Sequence, residues 1–348
     1  MNQSTYFILF ALLAWCTALN AQQETGQGST IKEFILVDRI ERPESSRSAP
    51  VLDHDGQIVG QCTPAVTDTL ARYNFQFDNG KSATVDALTH SLYNPVADRL
   101  LVYGSTLFSH VNSKARVVLY DGMGRQIKDL GVVAYFPFEV AMAGNGDFYV
   151  AGKKLYEQAV FELKKFDAGG NLMWAKNLPF GMPAELKVSG SGRRIGLALD
   201  DQDRMKTTIY YFDDSGNTLA QNTDFGMMAN LEFLGDEKVI VCTGRQFYLY
   251  QIAGQALISY SQFPGNAIGQ YPVTAYPSGD GFVVTSVENP VAQSGYRVRA
   301  YNGNGALTRE MTFTGAPTFQ AARLVVFQAA DVFSLRLPQE SVILKLEK

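Results

Sequence analysis

The chain alternates short apolar runs with glycine-rich or polar turns, and no apolar run has the length and period of an ordinary amphipathic helix. Six segments share one form, a small or polar turn leading into an apolar strand: NPVADRLLVYG, GNGDFYVAG, GSGRRIGLAL, GDEKVIVCTG, SGDGFVVTS and QAADVFSLR. Counted from their first strand residues, Leu101, Phe148, Ile195, Val239, Phe282 and Val332, the copies lie 47, 47, 44, 43 and 50 residues apart. Their nearly unbroken apolar character predicts strands covered on both faces. The neighbouring runs RVVLY, VFELKKF, TTIYYF, FYLY and YRVRAY are rich in β-branched and aromatic residues, and several alternate apolar with polar, which predicts further strands.

A second pattern marks the turns between these neighbours: an aromatic, usually an Asp or Asn, two variable residues, a glycine and then an apolar residue. It reads YDGMGRQI, FDAGGNL, FDDSGNTL, YQIAGQAL and YNGNGAL, and its glycines, Gly124, Gly170, Gly216, Gly254 and Gly305, are spaced by 46, 46, 38 and 51 residues. An Asx side chain accepts hydrogen bonds from N–H groups just ahead of it, and glycine takes the positive φ of a tight hairpin, so each copy predicts a hairpin tip.

A unit of about 45 residues with four strands cannot bury both faces of its sheet alone, whereas a ring of such sheets does. The predicted fold is all-β, a β-propeller of six four-stranded blades closed by an N-terminal strand. A seventh blade is allowed if the N-terminal segment forms one. The last unit offers only RLVVF, DVFSLRL and SVILKLEK, and its missing strand is expected from the other terminus. YNFQF (73–77) is preferred for that role over EFILVD (33–38), because it directly precedes the first complete unit. The expected organisation is a signal peptide over 1–21, an N-terminal segment over 22–72 acting as a cap or a divergent blade, and a propeller over 73–348.

Composition narrows the partners. Lys and Arg number 30 against 34 Asp and Glu, for a net charge of −4, with no basic stripe, so nucleic acid is not an expected partner. The apolar run Tyr6–Leu19 is shorter than the roughly twenty residues that span a bilayer and fits a signal-peptide core. Cleavage after Ala18 or Ala21 suits the small-residue rule, with lipidation at Cys16 as the rival. Either way the expected location is secreted, periplasmic or cell-surface, with no membrane span once the leader is removed. Only Cys62 and Cys242 then remain, too few for a disulfide framework, and Cys242 in VIVCT reads as a buried thiol.

The repeat, clearest in PFEVAMAGNGDFYVAG through VFELKKFDAGGNLMW, resembles NHL-type and TolB-like six-bladed propellers over residues 83–348. That resemblance implies the ring architecture. Rings of this kind host binding modules and several unrelated enzymes, so function has to be read from the residues.

Two places hold candidate chemistry. One end of the ring is expected to carry the longer connections, Ser105–Ala115, Gly152–Ala159, Asp200–Lys206 and Glu288–Tyr296, and with them a binding face that includes Asp201 and Arg204. Glu139, Glu185 and Glu232, separated by 46 and 47 residues, enter the innermost strand of successive units and are expected to converge on the central channel. Arg323 takes a comparable place in the last unit. These charges either pair across a watered channel or hold a hard divalent cation such as Ca²⁺ through carboxylate oxygens. In the second case the chain resembles lactonase-like propeller enzymes, though only in the placement of those glutamates. Aromatics between units, around Phe136, Phe180, Phe225, Phe263 and Phe313, are expected to fill seams between blades.

No HExxH, GxSxG or P-loop motif occurs, and His54, His90 and His110 form no recognisable set. DHDG (53–56) lacks the downstream acid of a calcium loop and reads as a turn. The expected function is a secreted or envelope-associated binding or scaffold module for a glycan, peptide or protein. The alternative is a metal-dependent hydrolase or lyase with its carboxylates at the channel mouth.

Overall fold

The computed structural model describes residues 35–41, 49–52, 58–67, 70–77, 82–86, 90–94, 97–104, 114–121, 125–155, 159–179, 181–226, 229–243, 246–262, 273–276, 279–287, 296–313, 323–326, 332–336 and 340–345. All lie in the compact unit Glu33–Lys348, and before residue 92 and after 312 the backbone alone is described. The leader and the DHDG turn lie outside the described residues.

Among the described residues every regular element but one 3₁₀ turn at Ala253–Gln255 is a strand. β1 (Ile35–Glu41) is followed by β2 (Ala49–Leu52), β3 (Ile58–Thr67), β4 (Leu70–Phe77) and β5 (Ser82–Asp86), the last four forming an antiparallel sheet in chain order. Next come β6 (His90–Asn94), β7 (Arg99–Gly104), β8 (Lys114–Asp121), β9 (Gln126–Met142), β10 (Phe148–Lys153), β11 (Phe161–Phe166) and β12 (Leu172–Asn177), hydrogen-bonded in one run. β9 is long enough to serve twice. Its first half pairs with β8, its second half with β10, and Tyr135 stands opposite residues of both.

Two more four-stranded sheets follow. One contains β13 (Met182–Val188), β14 (Arg194–Asp201), β15 (Lys206–Asp213) and β16 (Thr218–Gly226). The other contains β17 (Asn230–Leu234), β18 (Lys238–Thr243), β19 (Gln246–Gln251) and β20 (Ala256–Gln262). Another holds β21 (Val273–Ala275), β22 (Gly281–Val287), β23 (Tyr296–Asn302) and β24 (Leu307–Phe313). The last holds β25 (Arg323–Val326), β26 (Val332–Arg336) and β27 (Glu340–Lys345), and β1 completes it by pairing antiparallel with β27.

With β9 counted on both sides, the described strands make seven groups of four, one more than the repeat count gave. The strand that joins the last group is also not the preferred one: β1 fills that place, and YNFQF lies within β4, between β3 and β5. Short connections explain the difference. Only two residues separate β3 from β4, so that hairpin forms at small loop entropy and uses YNFQF locally.

The core lies between sheets. The second strands β7, β10, β14 and β18 are buried along most of their length, whereas the outer β12 is largely open. Tyr149, Leu163 and Trp174 of one sheet pack on Leu186, Ile195 and Leu197 of the next, and Ile209 and Tyr211 on Leu231, Phe233 and Val239. Each fully buried side chain of this size contributes about 1.5–3 kcal/mol by leaving water. Phe225 fills a seam as expected, its ring 5.6 Å from Tyr248 and 6.1 Å from Tyr250. Phe136 does not; it is exposed.

The hairpin tips match their predicted chemistry. Asp167 Oδ1 accepts from the N–H groups of Gly169 and Asn171, and Gly170 sits at φ 78°. Asp213 and Asn302 repeat the arrangement with Ser215 and Asn217, and with Asn304 and Ala306. The tips also tie neighbours together: Arg99 Nε donates to Ala168 O at 3.0 Å, Lys176 Nζ to Gly216 O at 2.7 Å and Lys238 Nζ to Gly303 O at 2.8 Å.

Candidate functional site

The first strands of successive groups lie side by side, β9 against β13, β13 against β17, β17 against β21 and β21 against β25. Polar side chains on these strands therefore meet their counterparts from the next group. Glu139 pairs in register with Ala151 and Glu185 with Ala198, each three residues beyond the start of its second strand at Phe148 or Ile195. Glu232 pairs with Ile240, one residue beyond Val239, so it is not level with the other two. Its level is that of Lys187 opposite Gly196 and Ala141 opposite Tyr149, while Asn230, opposite Cys242, takes the level of Glu185. The register shows why: opposite Phe148, Ile195 and Val239 stand Met142, Val188 and Phe233, and Glu139 and Glu185 lie three residues before theirs whereas Glu232 lies one before its own.

This offset creates the cluster. Lys187 Nζ lies 3.1 Å from Glu232 Oε2 on the neighbouring strand and 3.7 Å from Glu185 Oε1 on its own. Glu185 Oε2 accepts the Leu231 N–H at 2.6 Å, joining β13 to β17 a second time. Burial pushes the Glu185 carboxyl up to about 7, against the opposing pull of Lys187 and the Leu231 N–H. The Lys187 ammonium is held well above its ordinary range, chiefly by Glu232 and against burial, with Glu185 and Glu139 adding to it. The side chains retain 18% and 34% of their surface, for Glu185 and Lys187, so solvent reaches the pair. Such a carboxyl exchanges its proton near neutral pH.

Two of the three glutamates thus share a fixed ammonium, and the third acts on it at longer range. Lys187 supplies a positive charge that pairs with them, as the pairing reading of the channel charges requires, though from a residue that reading did not name. Among the described residues no group of three or more His, Cys, Asp or Glu is arranged to hold a metal ion. Lys187 was legible in principle, since residues two apart on a strand share a face and PAELKV places it two after Glu185. Arg323 opens β25 opposite Arg336, and its side chain lies outside the described residues.

Asp201 and Arg204 sit together at the β14–β15 connection. Asp201 Oδ1 accepts the N–H groups of Asp203 and Arg204, and its other oxygen is 3.5 Å from Arg204 Nε. Asp201 therefore shapes the loop, and the largely open Arg204 is the residue it presents. Below them the Thr207 hydroxyl donates to Asp200 and lies 3.1 Å from Gly226 O. Residues 105–113, 156–158 and 288–295, from the other long connections, lie outside the described residues. Cys242 is a free, buried thiol.

No family model matches the chain, and no curated protein does. Solved structures match it in shape. The C-terminal WD40 domain of Sif2 superposes with a TM-score of 0.50 at 9% identity, covering 92% of this chain and 100% of that one. A chain of the mitotic checkpoint complex gives 0.60 at 9% identity, covering 93% and 96%. Raptor from Chaetomium thermophilum gives 0.60 at 9% identity over 91% of this chain and 30% of its own length. At such identities the likeness speaks for the fold alone, and together with the repeated antiparallel sheets it makes this chain a β-propeller repeat protein.

Proposed function

We propose that the protein is an exported seven-bladed propeller, closed by β1, that serves as a rigid scaffold for a protein or peptide partner. The partner docks on the face of the longer connections, the one that bears Arg204. One observation carries this reading: the opposite face is occupied with itself. Its Asx tips take up their own N–H groups, and their carbonyls accept Arg99, Lys176 and Lys238 from adjacent sheets. Likeness to propellers solved within the mitotic checkpoint complex and as Raptor supports a scaffold role.

Affinity purification from intact cells tests the face. Reversing charge at both Asp201 and Arg204 is expected to deplete the co-purified proteins identified by mass spectrometry, whereas Asn304→Asp at a tight tip leaves them unchanged. An identical set from all three proteins would sink the assignment. Amino-terminal sequencing tests export, with a mature chain starting after Ala18 or Ala21 expected and an unprocessed chain contradicting it.

A further inference from the structure

β9 crosses from the outer place in one sheet to the inner place in the next, and Phe136 and Pro137 bulge from the ladder there. Their neighbours Tyr135 and Phe138 pair with the consecutive residues Lys153 and Gly152. Tyr135 has Lys114 opposite it on β8 and Lys153 opposite it on β10. Residues directly across a ladder stand about 5 Å apart on the same side, so Lys114 and Lys153 share one side of the sheet with Tyr135 between them. At the two ends of the β10–β11 connection the Lys154 N–H donates to Val160 O at 2.8 Å, and Lys154 Nζ lies 2.8 Å from Glu162 Oε1. Leu155 and Val160 are thereby left at the rim 47% and 39% exposed, beside Phe136 at 45%.

Among the described residues the acids here are engaged. Glu162 is shared by Lys154 and Lys164, which lies 3.4 Å from its second oxygen, and Asp129 pairs with Arg116. Among the described residues no carboxylate lies within ion-pair distance of Lys114 or Lys153. A chain of net charge −4 thus turns locally positive around exposed apolar side chains. Phosphate backbones demand a longer run of cations and offer nothing to Phe136, Leu155 and Val160.

We propose that this end of the β9–β12 sheet binds an acidic segment of a partner protein, its carboxylates on Lys114 and Lys153 and its aromatic or branched side chains on Phe136, Leu155 and Val160. This site rests on the long-connection face being the working face, and gives the partner's chemistry there.

The probe is a short fluorescein-labelled peptide alternating Glu pairs with Phe-Leu pairs, read by anisotropy against the full chain. Controls are its Lys-for-Glu counterpart, a single-stranded DNA and phosphatidylglycerol vesicles. Selective binding of the acidic peptide is expected. It should weaken with salt, fall at least about tenfold in the double variant Lys114→Glu/Lys153→Glu, and fall in Leu155→Ser. Melting curves verify folding, and Lys114→Gln/Lys153→Gln replaces the reversed pair if that pair unfolds. No binding, equal binding of the Lys counterpart, or preference for DNA or vesicles would overturn the site. Recovery of cellular partners that depends on Asp201 and Arg204 but not on Lys114 and Lys153 would overturn this site alone and leave the scaffold reading standing.

Discussion

Glu185→Gln is the sharpest probe of the inner-strand cluster, because it removes one ionisation and little else. Glutamine keeps an oxygen to accept the Leu231 N–H, and Lys187 keeps Glu232. In the folded chain the carboxyl takes up its proton at about 7, against 4.5 for an ordinary glutamate. Between those values the folded state holds a proton that the unfolded state has released. Stability is therefore complete below about 4.5, declines as pH rises towards about 7, and stays lowered above it. At about 1.4 kcal/mol per tenfold, the whole decline attributable to Glu185 is about 3 kcal/mol.

Gln cannot ionise, so the variant escapes that decline. Urea denaturation followed by Trp174 fluorescence suits the measurement, since this indole packs on the neighbouring sheet and donates to Asp214 O at 3.0 Å. The two proteins should match at pH 4, and the variant should lead by about 3 kcal/mol at pH 8. Other groups titrate over this range, but the difference between the two curves isolates Glu185. A difference that does not change with pH, or a variant weaker than the parent at pH 8, would mean that Lys187 keeps Glu185 ionised and that burial does not dominate.

Lys187→Met leaves Glu185 and Glu232 facing one another and should cost about 1–3 kcal/mol at pH 8, less at pH 5 where Glu185 takes a proton, as read by the same urea curves. Gly196→Ala would put a methyl 2.7 Å from Leu231 Cδ1 and 3.1 Å from the Phe233 ring, costing about 1–3 kcal/mol. Gly226→Ala, with nothing within 4 Å, should stay within about 0.5 kcal/mol of the parent in a melting series. Cys242 is buried, and burial pushes its thiol far up, so in a Cys16→Ser/Cys62→Ser background Ellman's reagent should react only when the chain unfolds.

What the sequence made legible follows from how local the signal is. Asp167, Asp213 and Asn302 bond N–H groups two and four residues ahead, so each tip could be read from a single window. The second strands were equally plain, since burial on both faces leaves nearly unbroken apolar runs in β10, β14 and β18. Pairing between the chain's ends is a different matter. ILVDRIE and LARYNFQF both read as strands, and nothing within either tells which one reaches β27; topology decides that. The group β2–β5 escaped the count because its second strand, IVGQCTPAVT, lacks the nearly unbroken apolar run that marks the six copies.

The cluster on the inner strands shows why spacing alone misplaced Glu232. Separations of 46 and 47 residues suggest three matching positions only if the first strands repeat at that interval, and at the residues opposite Phe148, Ile195 and Val239 they repeat at 46 and 45. Two residues is one full side-chain period, so Glu232 keeps its face but moves down one level and arrives beside Lys187. Strict repetition would have set Glu232 level with Glu185, away from the lysine. The same logic holds at the rim, where the doubled use of β9 breaks the pattern and exposes Phe136 next to Tyr135, the residue opposite both Lys114 and Lys153. In this protein the residues that recur from unit to unit build the sheets and lock their tips, and the chemistry that distinguishes one blade from another collects where the repeat is interrupted.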